Sequence, residues 1–253
     1  MLLAEIDRYY RELLLIDDFA RNDSAMNGLQ FGDFNSEISR IAFAVDACAE
    51  TFRRAAESGA QMLFVHHGLF WGRVFPLTGR HHARFRLLAD AGLALYAVHL
   101  PLDAHPDLGN NAGIAKKLGL ENCEPFADYH GKKIGIKGRL PAALSLDRVK
   151  EKLDMDVQKP LGQLAFGKAE ISSIGIVSGG ATWESFQAIE EDLDLYITGD
   201  AAHEIYHHCL EAKINVLFGG HYNTETYGVR SMCEKTASDL RLETVFIDLP
   251  TGL

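Results

Sequence analysis

The sequence predicts an α/β fold made of two α/β units whose strands run mainly parallel. Three observations predict it: short apolar runs of strand length recur along the chain, helix-like segments separate the first three, and the composition suits a large core. Of 253 residues, 47% are apolar and 24% charged, a globular balance that excludes a mainly unfolded chain.

At the start, Leu2, Leu3, Ile6, Tyr9, Tyr10, Leu13 and Leu14 recur at helical spacing and predict an amphipathic helix. Asn27-Gly28 and Gly32-Asp33 then mark a turn-rich stretch. Runs at 41–45, 62–65, 93–98 and 215–218 read as buried strands, the first three joined by helices as parallel crossovers require. In the middle of the chain, 132–139 predicts a strand, 146–153 a helix, and 171–177 a strand ending in Ser178-Gly179-Gly180. Residues 194–198 repeat the strand-to-glycine pattern with Gly199-Asp200, and 243–249 predicts the last strand. The texture changes near 120–130, so the expected domains are 1–125 and 126–253. No proline-rich or serine-rich linker divides them, which predicts halves joined without a flexible tether.

The charge arithmetic is 25 − 35 = −10 with histidines neutral, a field that opposes nonspecific capture of nucleic acid or anionic lipid. Cys48, Cys123, Cys209 and Cys233 form no CxxC pair and read as reduced thiols, outside any disulfide framework or zinc ribbon. Glu5, Asp7, Arg8, Arg11 and Glu12 interrupt the apolar core that a secretory signal needs. No apolar stretch reaches the roughly 18 to 20 residues needed to span a bilayer. The expected location is the cytoplasm, with no membrane partner.

Eleven histidines are present, and their placement carries the chemistry. Val65-His66-His67-Gly68 follows the apolar run 62–64, so both imidazoles emerge at the carboxyl end of a buried strand, where open α/β sheets bind ligands. Residues 95–98 end in His99-Leu100-Pro101-Leu102-Asp103-Ala104-His105, which brings His66, His67 and Asp103 to neighbouring strand ends. His99 and His105 are candidates for ligation, for orienting a ligand, or for general acid/base work. The run 215–218 leads into Gly219-Gly220-His221-Tyr222-Asn223-Thr224-Glu225, and His221 and Glu225 share one face of a helix that begins by Tyr222. Taken alone, that last pair also reads as an ordinary surface i, i+4 contact.

His66, His67, Asp103, His221 and Glu225 together exceed what one tetrahedral ion takes, and they predict two divalent ions sharing a carboxylate bridge. This mixed N/O set suits Zn, Mn, Fe, Co or Ni. Two such ions against two carboxylates leave a net charge of about +2, which predicts a small anionic substrate despite the acidic surface. Other features weigh less. His203, His207 and His208 fit a solvated helix face better than a metal site, and His81-His82 reads as a loop entering a helix. Ser178-Gly179-Gly180 lacks the spaced lysine of a P-loop. Phe70 and Trp71 are core or lid residues before they are a stacking platform.

With these residues assembled, the chain resembles the Nif-three-like family, whose bacterial members often carry the name GTP cyclohydrolase I type 2 homolog. The likeness rests on Asn27-Gly28-Leu29-Gln30, VHHGLFW at 65–71, HLPLDAHPDLGNNAGIAKKLGL at 99–120, TGD at 198–200, GGHYNTETYGV at 219–229 and VFIDLP at 245–250. It implies two interlinked α/β domains, a dinuclear metal site in the cleft and a toroidal homohexamer. Carried over residue by residue, it implies that His66 and His221 bind one metal, that His67 and Asp103 bind the other, and that Glu225 bridges them. One departure stands beside the ligands: Tyr222 and Asn223 follow His221 where many relatives have a small residue or a histidine.

The leading functional expectation is a dinuclear-metal-dependent hydrolase of a nucleotide or related heterocycle, with GTP ring opening and formate release as the named candidate. His99 or His105 is the expected proton shuttle. The alternatives are a phosphoester hydrolase acting on modified nucleotides and a non-enzymatic metal-binding scaffold or adaptor.

Overall fold

The computed structural model describes residues 1–154 and 162–253. In chain order the elements are α1 (Leu3–Leu14), β1 (Gly28–Phe31), β2 (Arg40–Asp46), α2 (Ala49–Glu57), β3 (Met62–His67), α3 (Gly79–Asp90), β4 (Ala94–Ala97), α4 (Leu100–Ala104) and α5 (Asn110–Leu118). There follow β5 (Glu121–Tyr129), β6 (Lys132–Leu144), α6 (Leu146–Lys152), β7 (Gly162–Ala165), β8 (Ile171–Ile176), α7 (Ser185–Glu190) and β9 (Leu195–Thr198). The last are α8 (Tyr206–Ala212), β10 (Asn215–Phe218), α9 (His221–Thr224), α10 (Thr226–Leu240) and β11 (Glu243–Phe246). No helix among the described residues is long and apolar enough to cross a membrane.

The chain divides into two compact units, Met1–Leu102 with Val229–Leu249, and Asp103–Gly228 with Pro250–Leu253. The first holds a five-stranded sheet in the order β1-β4-β3-β2-β11. Its strands are parallel except for β1, which runs antiparallel on the edge against β4. Period-two alternation sorts its side chains. Phe43, Phe64 and Tyr96 lie in register across β2, β3 and β4 and meet Tyr10 of α1, with Tyr10–Phe64 and Tyr10–Tyr96 centroids 5.3 and 5.4 Å apart. Ala42, Leu63 and Leu95, then Ala44, Val65 and Ala97, belong to a second cluster that contains Phe52 of α2 and Leu88 of α3. On α1 the residues Leu3, Ile6, Tyr10 and Leu14 are buried at helical spacing. Each aliphatic one contributes about 1.5–3 kcal/mol by leaving water.

The second unit holds a six-stranded sheet in the order β5-β6-β8-β9-β10-β7. β8, β9 and β10 are parallel, while β5, β6 and β7 join antiparallel at the edges. Ile174, Ile176, Leu195, Ile197 and Leu217 of the parallel strands pack with Ile114 and Leu118 of α5 and Val149 of α6.

The two α/β units and their mainly parallel strands agree with the sequence reading. The expected boundaries of 1–125 and 126–253 do not. β11 pairs with β2 from Glu243↔Arg40 to Phe246↔Phe43, which returns the C-terminal segment to the first sheet. Residues 103–125 meanwhile supply α5 and the start of the β5–β6 hairpin to the second unit. The chain therefore passes between units more than once, and no single cut divides it.

Candidate metal centre

In the first unit three imidazoles gather at the carboxyl ends of β3 and β4. His66 is fully buried, and its Nδ1 lies 2.9 Å from the Val98 carbonyl oxygen, so Nδ1–H donates there. His67 stands in register opposite Asp46 at the end of β2, with Nδ1 2.9 Å from Asp46 Oδ1. His99 places its Nδ1 2.9 Å from Asp23 Oδ1, and its backbone N–H donates to Asn27 Oδ1 at 2.7 Å. Asp23 is 1% exposed and also accepts from the Ala25 and Leu100 N–H groups and from Asn27 Nδ2. Burial alone would raise its carboxyl, but the His99 hydrogen bond and charge outweigh burial and hold it below the usual carboxylate range.

A ring nitrogen held through Nδ1–H leaves Nε2 as the lone-pair donor, and a carboxylate or carbonyl behind a histidine is the usual support of a metal-ligating imidazole. One donor atom from each of His66, His67 and His99 lies within 4.8 Å of the other two. That spacing suits ligands arranged about a common ion. Trp71 stands edge-on to His99, ring centroids 4.9 Å apart, and its Nε1 donates to the Gly68 carbonyl at 3.0 Å.

In the second unit Asp103, on α4, is 6% exposed, and its Oδ1 accepts from Asn110 Nδ2 at 2.9 Å and Ser178 Oγ at 2.8 Å. Asn111 secures the same turn, donating to the Asp103 carbonyl and accepting from Ser178 N–H. His221 opens α9 and Glu225 follows that helix, so the predicted four-residue spacing closes one turn. His221 Nε2 is 3.2 Å from Glu225 Oε1, and His221 Nδ1 is 3.0 Å from Asp200 Oδ2. Burial opposes the imidazolium, yet Glu225 and Asp200 outweigh it and push His221 up to about 9. Glu225 is 3% exposed, and one of its oxygens lies within 4.8 Å of a carboxylate oxygen of Asp103. Two buried carboxylates at that range repel unless a cation or proton stands with them.

Gly179 shapes this half. It adopts φ +66°, and a Cβ there would lie 2.1 Å from Glu225 Oε1 and 3.1 Å from His221 Nε2. Only glycine leaves that space to the carboxylate and the imidazole.

The donor chemistry therefore fits divalent metal in both units: anchored imidazoles in the first, close buried carboxylates with an anchored imidazole in the second. The first unit gathers His66 and His67 and adds His99 beside them. The second gathers Asp103, His221 and Glu225. His105 makes a different arrangement, with Nδ1 accepting from the Asp107 and Leu108 N–H groups at 3.2 and 3.1 Å, so its neutral ring carries the proton on Nε2. His203, His207 and His208 are exposed and belong to no metal-capable group among the described residues. His81 stacks on Phe75 with centroids 4.1 Å apart.

Sequence reasoning missed the supporting carboxylates Asp23, Asp46 and Asp200. Asp46 had a signal, because it ends an apolar strand in register with His67. Asp200 had one in the glycine turn after β9. Asp23 had none, being 76 residues from His99 in a stretch without periodicity.

The family model described as Duf34/NIF3 (NGG1p interacting factor 3) matches residues 1–251. The chain belongs to the DUF34/NIF3 family. Among curated DUF34/NIF3 relatives, the GTP cyclohydrolase 1 type 2 homolog of Treponema pallidum is 41% identical over 286 residues, covering 100% of both chains. The protein of that name from Archaeoglobus fulgidus is 42% identical over 253 residues, again covering 100% of both. Among solved structures, a Thermus thermophilus protein superposes with a TM-score of 0.90 at 38% identity over 100% of both chains. Reduced HcgD from Methanocaldococcus jannaschii superposes with a TM-score of 0.86 at 26% identity, covering 98% of each. The resemblance drawn from the sequence motifs is thereby confirmed for the family and its fold.

Proposed function

We propose that the protein is a dinuclear-metal-dependent hydrolase of a nucleotide or related heterocycle, with GTP as the first candidate. The observation that carries the reading is the set of backed histidines: His67, His99 and His221 each have Nδ1 on a carboxylate, and His66 has it on a carbonyl. The relatives' name, GTP cyclohydrolase 1 type 2 homolog, supports the substrate class.

In this reading His66, His67, Asp103, His221 and Glu225 are the residues that would hold two divalent ions. Two such ions would supply Lewis acidity toward the substrate and lower the pKa of water. Asp46 and Asp200 orient His67 and His221. Asn110 and Ser178 both occupy Asp103 Oδ1 and fix that carboxylate's direction. His99 is the proton carrier: buried Asp23 holds Nδ1–H and stabilises the imidazolium formed when Nε2 takes a proton. His105, with its neutral-state proton on Nε2, is suited to donate one. The relatives' name favours the enzyme over the adaptor, and the Asp23–His99 pair, which lies outside the five expected ligands, gives it a proton carrier. Family resemblance supports a homohexamer, for which sedimentation should give six chains per particle.

The test is incubation of protein carrying its native metals with GTP, following formate release and loss of the purine absorbance. Chelation should abolish turnover. Asp23→Asn should lower kcat about 10–100-fold while leaving KM and metal content nearly unchanged. Cleavage of a phosphoester with the purine ring intact would move the assignment to the phosphoester hydrolase. No turnover of any nucleotide in any metal form would favour the scaffold.

A further inference from the structure

The first unit carries a basic segment in an acidic chain. Residues 69–89 contain Arg73, Arg80, Arg84 and Arg86 and no aspartate or glutamate, so their charge is 4 − 0 = +4 with histidines neutral, against −10 for the whole chain. Arg86 donates to Asp90 one turn further along α3. Arg80 and Arg84 stand one turn apart on a neighbouring face of the same helix, a like-charge i, i+4 pair that weakens a helix in isolation. Arg73 and Arg80 are exposed and Arg84 is half-buried. On α2, which packs beside α3, the Glu50 carboxylate is already taken by Arg53 and Arg54.

This segment is tied to the imidazole cluster at its start. Met26 N–H donates to the Phe70 carbonyl at 3.0 Å, Trp71 bridges Ala25 in antiparallel fashion, and Leu69 N–H donates to Gln30 Oε1 at 2.7 Å. The stretch that receives them also holds His99, through Asp23 and Asn27. The Trp71 ring lies 4.9 Å from that of His99 and 5.8 Å from that of His67, centroid to centroid. Arg73 follows two residues later, at most about 7 Å of backbone away. Phe70 then stacks on Phe75 at 5.3 Å and Phe75 on His81 at 4.1 Å, which folds the loop onto the first turn of α3. Arg80 directly precedes His81, and Arg84 follows it by three residues.

Guanidinium groups remain charged at every working pH and present forked donors that match phosphate oxygens two at a time. Several of them in one short segment suit a ligand with several phosphates, and their local field draws an anion that the net charge of the chain repels. Val74 and Leu77 are exposed on the same loop, a feature that a lipid surface would use. The attachment of residues 69–71 to the stretch that supports His99 favours the substrate instead. Building on the nucleotide-hydrolase reading above, we propose that Arg73, Arg80 and Arg84 bind the phosphate chain of the substrate. The segment thereby selects nucleotides over nucleosides and anchors the phosphate end in the first unit, which holds His66, His67 and His99.

Arginine footprinting tests this. The full chain, as purified and again after chelation, is treated with phenylglyoxal at constant ionic strength, and modification of each arginine is followed by peptide mass spectrometry. Inorganic tripolyphosphate at about twice its Kd should slow modification of Arg73, Arg80 and Arg84 about threefold in both preparations. Arg8 and Arg241, exposed in the same unit, should be unaffected. Guanosine should protect none of them. In the Arg80→Gln/Arg84→Gln variant, calorimetry should show tripolyphosphate bound about tenfold more weakly.

Equal modification of the three arginines with and without tripolyphosphate, or unchanged affinity in the double variant, would overturn the assignment. Protection that disappears on chelation would place the anion on metal and also overturn it. Co-sedimentation with phosphatidylglycerol vesicles that is lost in Val74→Ser/Leu77→Ser would assign the segment to a lipid surface and overturn the substrate as its ligand. Footprinting and calorimetry read no turnover, so these outcomes are separate from failure of the hydrolase reading, which formate release reports.

Discussion

Replacing Gly179 by alanine tests the second half of the candidate centre at one atom. The added Cβ would stand 2.1 Å from Glu225 Oε1, whereas real Cβ contacts essentially never fall below 3.0 Å. Glu225 must therefore retreat by about an ångström, against a tolerance of about 0.2 Å in ligand–metal distance. The same move breaks the 3.2 Å contact with His221. Holding alanine at φ +66° adds about 1–2 kcal/mol of backbone strain. At about 2–4 °C per kcal/mol for a chain of this size, melting should fall by about 2–8 °C. Metal content measured by plasma mass spectrometry, on protein purified without chelator, should drop by about one ion per chain, and calorimetry should show the matching shift. Gly180→Ala is the milder comparison: its Cβ would meet Asp200 Oδ2 at 3.2 Å without a positive φ, so its loss of metal should be smaller than that of Gly179→Ala. Unaltered metal content and melting in Gly179→Ala would refute the placement of Glu225 as a ligand.

Further outcomes follow from the same geometry. Asp46→Asn should weaken metal binding about 10–100-fold through misorientation of His67, read by competition with a chromogenic chelator, and the fold should survive because Asp46 is half-exposed. Asp194 should govern acid stability: burial disfavours its charge, but Lys168, the Ser172 and Ser173 N–H groups and Ser173 Oγ outweigh burial and lower it from 3.8 to about 2. Since its folded value is depressed, its contribution is complete above 3.8 and is lost as pH falls toward 2. Asp194→Asn should therefore flatten the melting temperature against pH across that window. Adding back a bound divalent ion to chelator-treated protein at about 100 times its Kd should raise stability by about 2.7 kcal/mol, seen as a concentration-dependent melting temperature.

The buried strands were legible because they are short apolar runs bounded by turn residues. Runs predicted at 41–45, 62–65 and 215–218 correspond to Arg40–Asp46, Met62–His67 and Asn215–Phe218. β1 was read only as part of a turn-rich stretch, since it is a four-residue edge strand flanked by glycines. β5 escaped for another reason: its first five residues are exposed on the sheet edge, so ENCEP carries no apolar alternation. The return of β11 to β2 was invisible because pairing between residues some two hundred positions apart leaves no local mark.

The histidines of the candidate centre were legible because strand ends concentrate them, and the His221–Glu225 spacing forecast a contact that the structure places at 3.2 Å. What supports them was not. Asp23 reaches His99 across 76 residues, and Asn110 and Ser178 converge on Asp103 from a helix terminus and a strand end. Such groups are chosen by the tertiary fold, and their residue types are common in loops.

The most direct measurement of the central claim is metal per chain by plasma mass spectrometry on wild type and Glu225→Ala, prepared without chelator or histidine tag. The account predicts about two divalent ions per wild-type chain and a clear fall in the variant. Metal near zero in wild type, even after incubation with Zn, Mn, Fe, Co and Ni, would contradict it.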